Sequence, residues 1–411
     1  MKQIKSHIII VCILCSLFFV VEGNAQDLES LINVALTNNP EIQKFELRYN
    51  IASEKINEVN TIPNTEFGVG YFISTPETRT GAQRFKVSAK QMMPWFNTIS
   101  AREHYVNSLA KAKYEDIVIA KRKLISAVSQ SYYNLYANNA KQKVLIDNIE
   151  LLKTYETMAL TSVEVGKASV VDVLRLQMRQ NELQQLLEVL MQQFIAEQTA
   201  FNKLLNRERD IKVNVIKELR IPLKSFEDNT GNLELHPELL KFDKLYYSVE
   251  QSELLNQKES SPMIGFGLDY INVEKRPNLD FSDNGKDIVM PMVSISIPIF
   301  NNKYKSKTVQ NRLQQQEITA QKQERLNKLT TRLDKAFNDR VSSRISYQTQ
   351  SKNLIQAKNA QDILTKSYET GTINFNDVLD IQELQLKFQL NQVESIRRYY
   401  IQSTIINYLK Q

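Results

Sequence analysis

The sequence predicts a mainly α-helical chain that carries a membrane β-barrel portion, and three observations predict it. Glycine and proline are scarce, ten of each in 411 residues, and fall at a few places only. Two short windows switch from helical spacing to strict alternation of apolar and polar residues. The whole pattern then occurs twice. The expected architecture is a pair of long antiparallel helical hairpins per chain, forming a trimeric α-barrel. Four strands per chain contribute to a shared 12-stranded barrel.

Residues 1-25 read as a secretory signal peptide. Lys2 and Lys5 give a positive start, Ile8 to Val21 an apolar run of 14 residues, and Gly23-Asn24-Ala25 a small-residue cleavage site. A membrane anchor is the alternative, but such a run is short for about 30 Å of hydrocarbon. Both cysteines, Cys12 and Cys15, lie in this segment, and neither follows the small residue that lipoprotein cleavage favours. The exported part is therefore expected to have no disulfide.

Composition excludes several classes. At 42% hydrophobic residues the chain can bury a core, which argues against disorder. A net charge of +6 is mild and interspersed, so no nucleic-acid partner is expected. Outside the signal only His104 and His236 remain, and no HExxH, GxSxG, P-loop or CxxC accompanies them. A surface or capping role suits both histidines better than catalysis; no enzyme activity, metal site or cofactor is expected.

Between Pro94 and Pro222 lie 127 residues with no proline and one glycine, Gly166; after Pro298 another 113 residues contain only Gly371. Both interiors are rich in good helix formers. Each stretch reads as a helical hairpin that turns at its glycine. Asn97 to Val165 alone spans about 100 Å as a helix.

In Thr65 to Ile73, Phe67, Val69, Tyr71 and Ile73 alternate with Glu66, Gly68 and Gly70. Phe85, Val87 and Ala89 then alternate with Arg84, Lys86, Ser88 and Lys90. The device returns in Ile264 to Tyr270 and Val293 to Ile297. Strands of nine or ten residues with one apolar face suit a tilted membrane crossing. The strands alone fit a hairpin pair lying on a soluble core equally well.

The repeat shifts that balance. Asn39-Pro40-Glu41 matches His236-Pro237-Glu238, Pro94-Trp95-Phe96-Asn97 matches Pro298-Ile299-Phe300-Asn301, and Gly166 with Asp172-Val173-Leu174 matches Gly371 with Asp377-Val378-Leu379. The first repeat covers residues 26-206, with a β-hairpin at about 64-92 and a tip near 166-172. A linker follows at 207-235. The second repeat covers 236-411, with a β-hairpin at about 263-298 and a tip near 371-380. An open four-stranded sheet cannot sit in lipid, because its edge N–H and C=O groups lack partners. Closure across three subunits solves this and leaves a lumen for Arg84, Lys86 and Lys90. Trp95, Phe96 and Phe300 then suit an aromatic belt at the membrane boundary, with core packing as the alternative.

The order of these motifs, taken twice, resembles the outer-membrane efflux protein family, the TolC-type channel-tunnels. The resemblance covers essentially all of the chain after the signal. It implies a homotrimer in the cell outer membrane that extends into the periplasm and works with a periplasmic adaptor and an inner-membrane pump. The implied function is the exit duct of a tripartite efflux or type I secretion system. The strand-helix junctions Pro94, Trp95, Phe96, Pro298 and Phe300 carry the resemblance, as do the tip turns Gly166 and Gly371, where the adaptor docks.

At the tip, three copies each of Asp172, Asp377 and Asp380 near the axis would form carboxylate rings that repel one another and favour cations. Asp172 and Asp377 also suit N-caps of the returning helices, and one residue can do both. Tyr368 matches, by the resemblance, a tyrosine whose hydrogen bonding holds the closed state. Ile373 stands where well-known members carry an arginine, which puts their ionic lock in doubt. Arg175 is a candidate substitute or a plain surface charge. A periplasmic coiled-coil adaptor or structural spacer is the alternative reading of the long helices, although an adaptor calls for one hairpin and a β-rich segment rather than two hairpins and two strand pairs.

Overall fold

The structure, a computed structural model, describes residues 27–166, 169–222 and 233–410. The signal-peptide reading of residues 1-25 and part of the linker reading, 223–232, lie outside the described residues. The elements run α1 (Leu28–Asn38), α2 (Pro40–Val59), β1 (Glu66–Tyr71), β2 (Glu77–Thr78), β3 (Gly81–Met93), α3 (Thr98–Glu164) and α4 (Val170–Leu204). After a single 3-10 turn at Leu233–Leu235 come α5 (Pro237–Glu259), β4 (Met263–Glu274), β5 (Ile288–Ser296), α6 (Lys303–Glu369) and α7 (Phe375–Lys410). No described helix is long and apolar enough to cross a membrane.

The duplication holds in the backbone. Helices α3 and α6 have 67 residues each, and the returning helices α4 and α7 have 35 and 36. Both hairpins turn at a glycine with positive φ, Gly166 at 73° and Gly371 at 76°. Absence of proline and glycine along the rods is what lets them run uninterrupted. Compactness follows a different division. One unit takes residues 1–40, 121–231 and 329–411; the other takes 41–120 and 232–328. Each unit draws on both repeats, so the repeats are not separate folding bodies.

In the unit formed by 41–120 and 232–328, the strands make one antiparallel sheet in the order β1-β3-β4-β5, and β2 adds a short pair to β3. Four strands were expected from the alternation; β2, two residues long, is too short to show any. Helix α5 starts at a buried His236, whose Nδ1 accepts from the Glu238 N–H at 3.3 Å, the capping role expected of it. Polar side chains join α5 to its neighbours: Asn256 donates to the Tyr304 carbonyl at 3.0 Å, and Lys241 pairs with Asp116 at 2.6 Å. Exposed His104 lies beside Ser100 one turn earlier on α3, 3.3 Å away.

In the other unit α3, α4, α6 and α7 pack around a common apolar core. The described linker residues lie along this bundle. The Ile216 and Leu219 N–H groups donate to the hydroxyls of Tyr132 and Tyr136, at 3.0 and 3.1 Å, and Tyr400 donates to the Arg220 carbonyl at 2.8 Å. Between Lys141 on α3 and Arg397 on α7 sits Glu394, within 2.9 and 2.6 Å. Burial opposes its ionisation, but hydrogen bonds from Arg397 and Lys141, reinforced by their charges, hold its carboxyl down at about 2.

Candidate functional site

The register of the sheet assembles one continuous apolar face. Phe67 lies opposite Ala89, Ala89 opposite Leu268, and Leu268 opposite Pro291. The next row is Val69, Val87, Tyr270 and Val289, and a third joins Gln91, Phe266 and Val293. This face is open to solvent: Phe67 is 78% exposed, Val69 81% and Val293 76%. A soluble sheet would pack such a face against a core. The other face is polar or small across β1 and most of β3 and mixed toward β5, with rows Gly68-Ser88-Asp269-Met290 and Glu66-Lys90-Gly267-Met292. Lys86 and Lys90 lie on it, as the alternation predicts. Lys86 is ion-paired with Asp269, whose side chain is fully buried. Arg84 falls at a β-bulge between Gln83 and Phe85, and it bonds Glu274.

The strand-helix junctions end the sheet. Trp95 stacks edge-on against Phe96, centroids 5.6 Å apart, and Asn97 takes φ 64° to turn the chain into α3. Phe96 and Phe300 are exposed, so core packing within the described chain does not account for them. Pro94 and Pro298 are half-buried beside them.

The second hairpin tip is closed by its backbone. The Thr372 N–H reaches the Ser367 carbonyl at 3.0 Å and the Gly371 N–H the Tyr368 carbonyl at 2.9 Å, a full Schellman motif that requires positive φ at Gly371. Tyr368 then packs inward, edge-on to the Phe375 ring at 4.9 Å, and Phe375 in turn meets Tyr155 at 5.9 Å. Its hydroxyl is buried and has no hydrogen-bond partner among the described residues. Among the described residues Tyr368 packs as core at this tip, and its hydroxyl makes no bond to them.

The first tip is built differently. Ser169 is the N-cap of α4: its hydroxyl accepts from the Val171 N–H at 3.2 Å, and Asp172 accepts from the Ser169 N–H at 3.4 Å. Asp172 is thus the third helical residue of a capping box rather than the cap. Asp377 holds the equivalent place in α7, two residues after Phe375, so the N-cap reading fails there too. Asp377 and Asp380 are both exposed. Arg175 is no lone surface charge, since it donates to Asn376 on the second hairpin. Arg179 adds a link to Glu383 at 3.7 Å. Hydrogen bonds from Gln177 and Gln180 hold the Glu156 carboxyl below its ordinary range. Ile373 is half-buried against the core.

Sequence reasoning missed Ser169, Asn376 and Glu383. A Ser-x-x-Asp spacing before α4 was the available signal for the first; the other two depend on contacts roughly 200 residues apart in sequence, which periodicity does not carry.

No protein-family profile matches the chain, and no curated protein does. Solved structures do. The crystal structure of CusC, described for transmembrane channel formation, superposes with a TM-score of 0.76 over 94% of this chain and 92% of that one, at 13% identity. The chain has the fold of an outer-membrane channel. The outer membrane protein VceC of Vibrio cholerae gives 0.72 at 16% identity, covering 93% and 96%. The open state of the Neisseria gonorrhoeae MtrE outer-membrane channel gives 0.67 at 16%, covering 92% and 88%. Identities this low carry the channel fold across and no residue roles.

Proposed function

We propose that the chain is the outer-membrane exit duct of a tripartite efflux or type I secretion system. Three copies close a 12-stranded barrel in the outer membrane and a helical tube in the periplasm, and the tube tip docks an adaptor and an inner-membrane pump. The duct is passive: the pump supplies the work. One observation carries the reading, the exposed apolar face of a sheet whose end strands, β1 and β5, each pair on one side only among the described residues. Such a sheet is unstable in water on its face and in lipid at its edges; closure with copies of itself satisfies both. The helices point the same way. Helix α4 buries Val173, Leu176 and Leu183 yet exposes Val170, Leu174 and Met178, and α6 exposes Ile345, Ile355 and Ile363. Apolar stripes on two sides of a helix call for a second partner. The two strand pairs speak against the adaptor or spacer reading.

In this duct Asp172, Asp377 and Asp380 form the periplasmic constriction, and Arg175 with Asn376 joins the hairpins beside it. Membrane fractionation followed by native mass determination in detergent tests the assembly: an outer-membrane trimer is expected, and a soluble monomer or dimer would sink the reading. Single-channel recording tests the gate. Asp377→Ala with Asp380→Ala is expected to weaken block by multivalent cations, and unchanged block would remove both residues from the constriction.

A further inference from the structure

Resting on the duct reading above, we propose that Met92, Met263, Met290 and Met292 form a thioether patch on the lumen wall of the barrel, which takes soft monovalent cations, Cu(I) or Ag(I), as cargo. The cross-strand register puts all four on the face of the sheet that carries Lys86 and Lys90. Met92 lies opposite Gly265, Met292 opposite Gly267, Met290 opposite Asp269 and Met263 opposite Ser296. From the Met290 row to the Met263 row, every apolar side chain on this face is a methionine. The opposite face of the same stretch relies on Phe67, Phe266, Leu268, Val293 and Ile295, with Met93 as its single methionine.

Two glycines make room for the sulfurs. A Cβ at Gly265 would stand 2.5 Å from the Met92 Sδ, and one at Gly267 would stand 3.3 Å from the Met292 methyl. Met92 therefore folds over β4 from the β3 side and Met292 from the β5 side, above bare backbone positions about 7 Å apart along the strand. Met290 and Met292 stay 39% and 37% exposed on a face that meets water in the duct, where serine or lysine would cost less. What sets methionine apart there is its thioether. Among the described residues no three His, Cys, Asp or Glu gather as a harder cation would require. Thioether sulfur is soft and selects Cu(I) and its congener Ag(I). Methionine is also the only sulfur-bearing residue among the described ones, since the two cysteines are Cys12 and Cys15. Lys90 shares the Met292 row but stands opposite Glu66, which offsets its charge. Neutral thioethers add no charge of their own, so an ion can bind without being trapped, as conduction requires.

The test adds Ag(I) alone to the full protein in detergent, in chloride-free buffer, and reads binding by native mass determination and titration calorimetry. Saturable binding is expected, retained in a large excess of Na+. Met92→Leu with Met292→Leu removes both sulfurs at nearly constant volume and is expected to weaken it roughly tenfold or more. Met93→Leu, one residue away on the opposite face, is expected to bind as the unaltered protein does. Should the first pair fail to assemble, Met263→Leu with Met290→Leu asks the same question and is expected to weaken binding in the same direction. No saturable binding, undiminished binding in the double variants, or an equal loss with Met93→Leu would overturn the patch. The two readings fail separately. An outer-membrane trimer that binds no Ag(I) keeps the duct and loses the patch, whereas a soluble monomer or dimer sinks the duct and the cargo role with it, whatever it binds.

Discussion

The two hairpin tips share a backbone plan and differ in where they put their apolar side chains. Both turn at a glycine with nearly equal φ, after helices of equal length. The second tip buries Tyr368, Phe375 and Val378, whereas the first exposes Val165, Val170, Val171 and Leu174. A duplicated backbone has thus been divided between two tasks. The second tip is stabilised from within, and its exposed groups are polar, Asp377 and Asp380 among them; the first presents an apolar surface that asks for a neighbour.

The comparison breaks most easily at Phe375, which is 1% exposed. Phe375→Ala is expected to cost about 3–5 kcal/mol through lost contacts and a residual cavity. Its partner test, Leu174→Ala at 52% exposure, should cost less than about 0.5 kcal/mol in the isolated protomer. Chemical denaturation measures both, and equal costs would erase the distinction. Glu394 sharpens it by testing what the hairpins hold in common. Its ordinary value is 4.5 and its folded value about 2. A depressed carboxyl stabilises the fold above the unfolded value, and that contribution is lost as pH falls through the window between the two. Glu394→Gln is expected to cost about 1–3 kcal/mol near neutrality and to flatten the acid limb of a stability-pH curve over that window; an unchanged limb would remove Glu394 from the link. The turns are expected to show an effect of the same order as Glu394. A Cβ at Gly166 or Gly371 meets nothing within 4 Å, so Val at either position adds only backbone strain, about 1–3 kcal/mol. In pull-down with an adaptor, Gly371→Val should impair docking before it impairs trimer assembly. Gly166→Val should impair it more, since the first tip offers the apolar surface. Equal loss of docking and assembly would assign the glycines to folding alone.

Much of the fold was legible because it rests on local rules. Absence of proline and glycine marked the rods, Gly166 and Gly371 marked the turns, and alternation in Thr65 to Ile73 and Ile264 to Tyr270 marked strands with the correct faces. The repeat located the second half from the first. What stayed hidden depends on side chains far apart in sequence. Nothing local distinguishes Gln382, which is fully buried against Asn148, from the exposed glutamines of the same helix. Arg175 reads as a surface charge until Asn376 is beside it. Asp172 was expected as a cap because the start of the returning helix was placed three residues too late; Ser169 takes that role. Tyr368 was singled out by the resemblance, and its burial against Phe375 depends on a contact that periodicity does not carry.

The equal lengths of α3 and α6 have a consequence for how this chain can evolve. Tyr155 meets Phe375, and Arg175 meets Asn376, only while the two tips stay level. Seven residues inserted into α3 alone would carry the first tip about 10 Å past the second and part both contacts. Insertions and deletions in the two rods must therefore arrive in pairs, so the duplicated halves are bound to a common length while their side chains remain free to diverge.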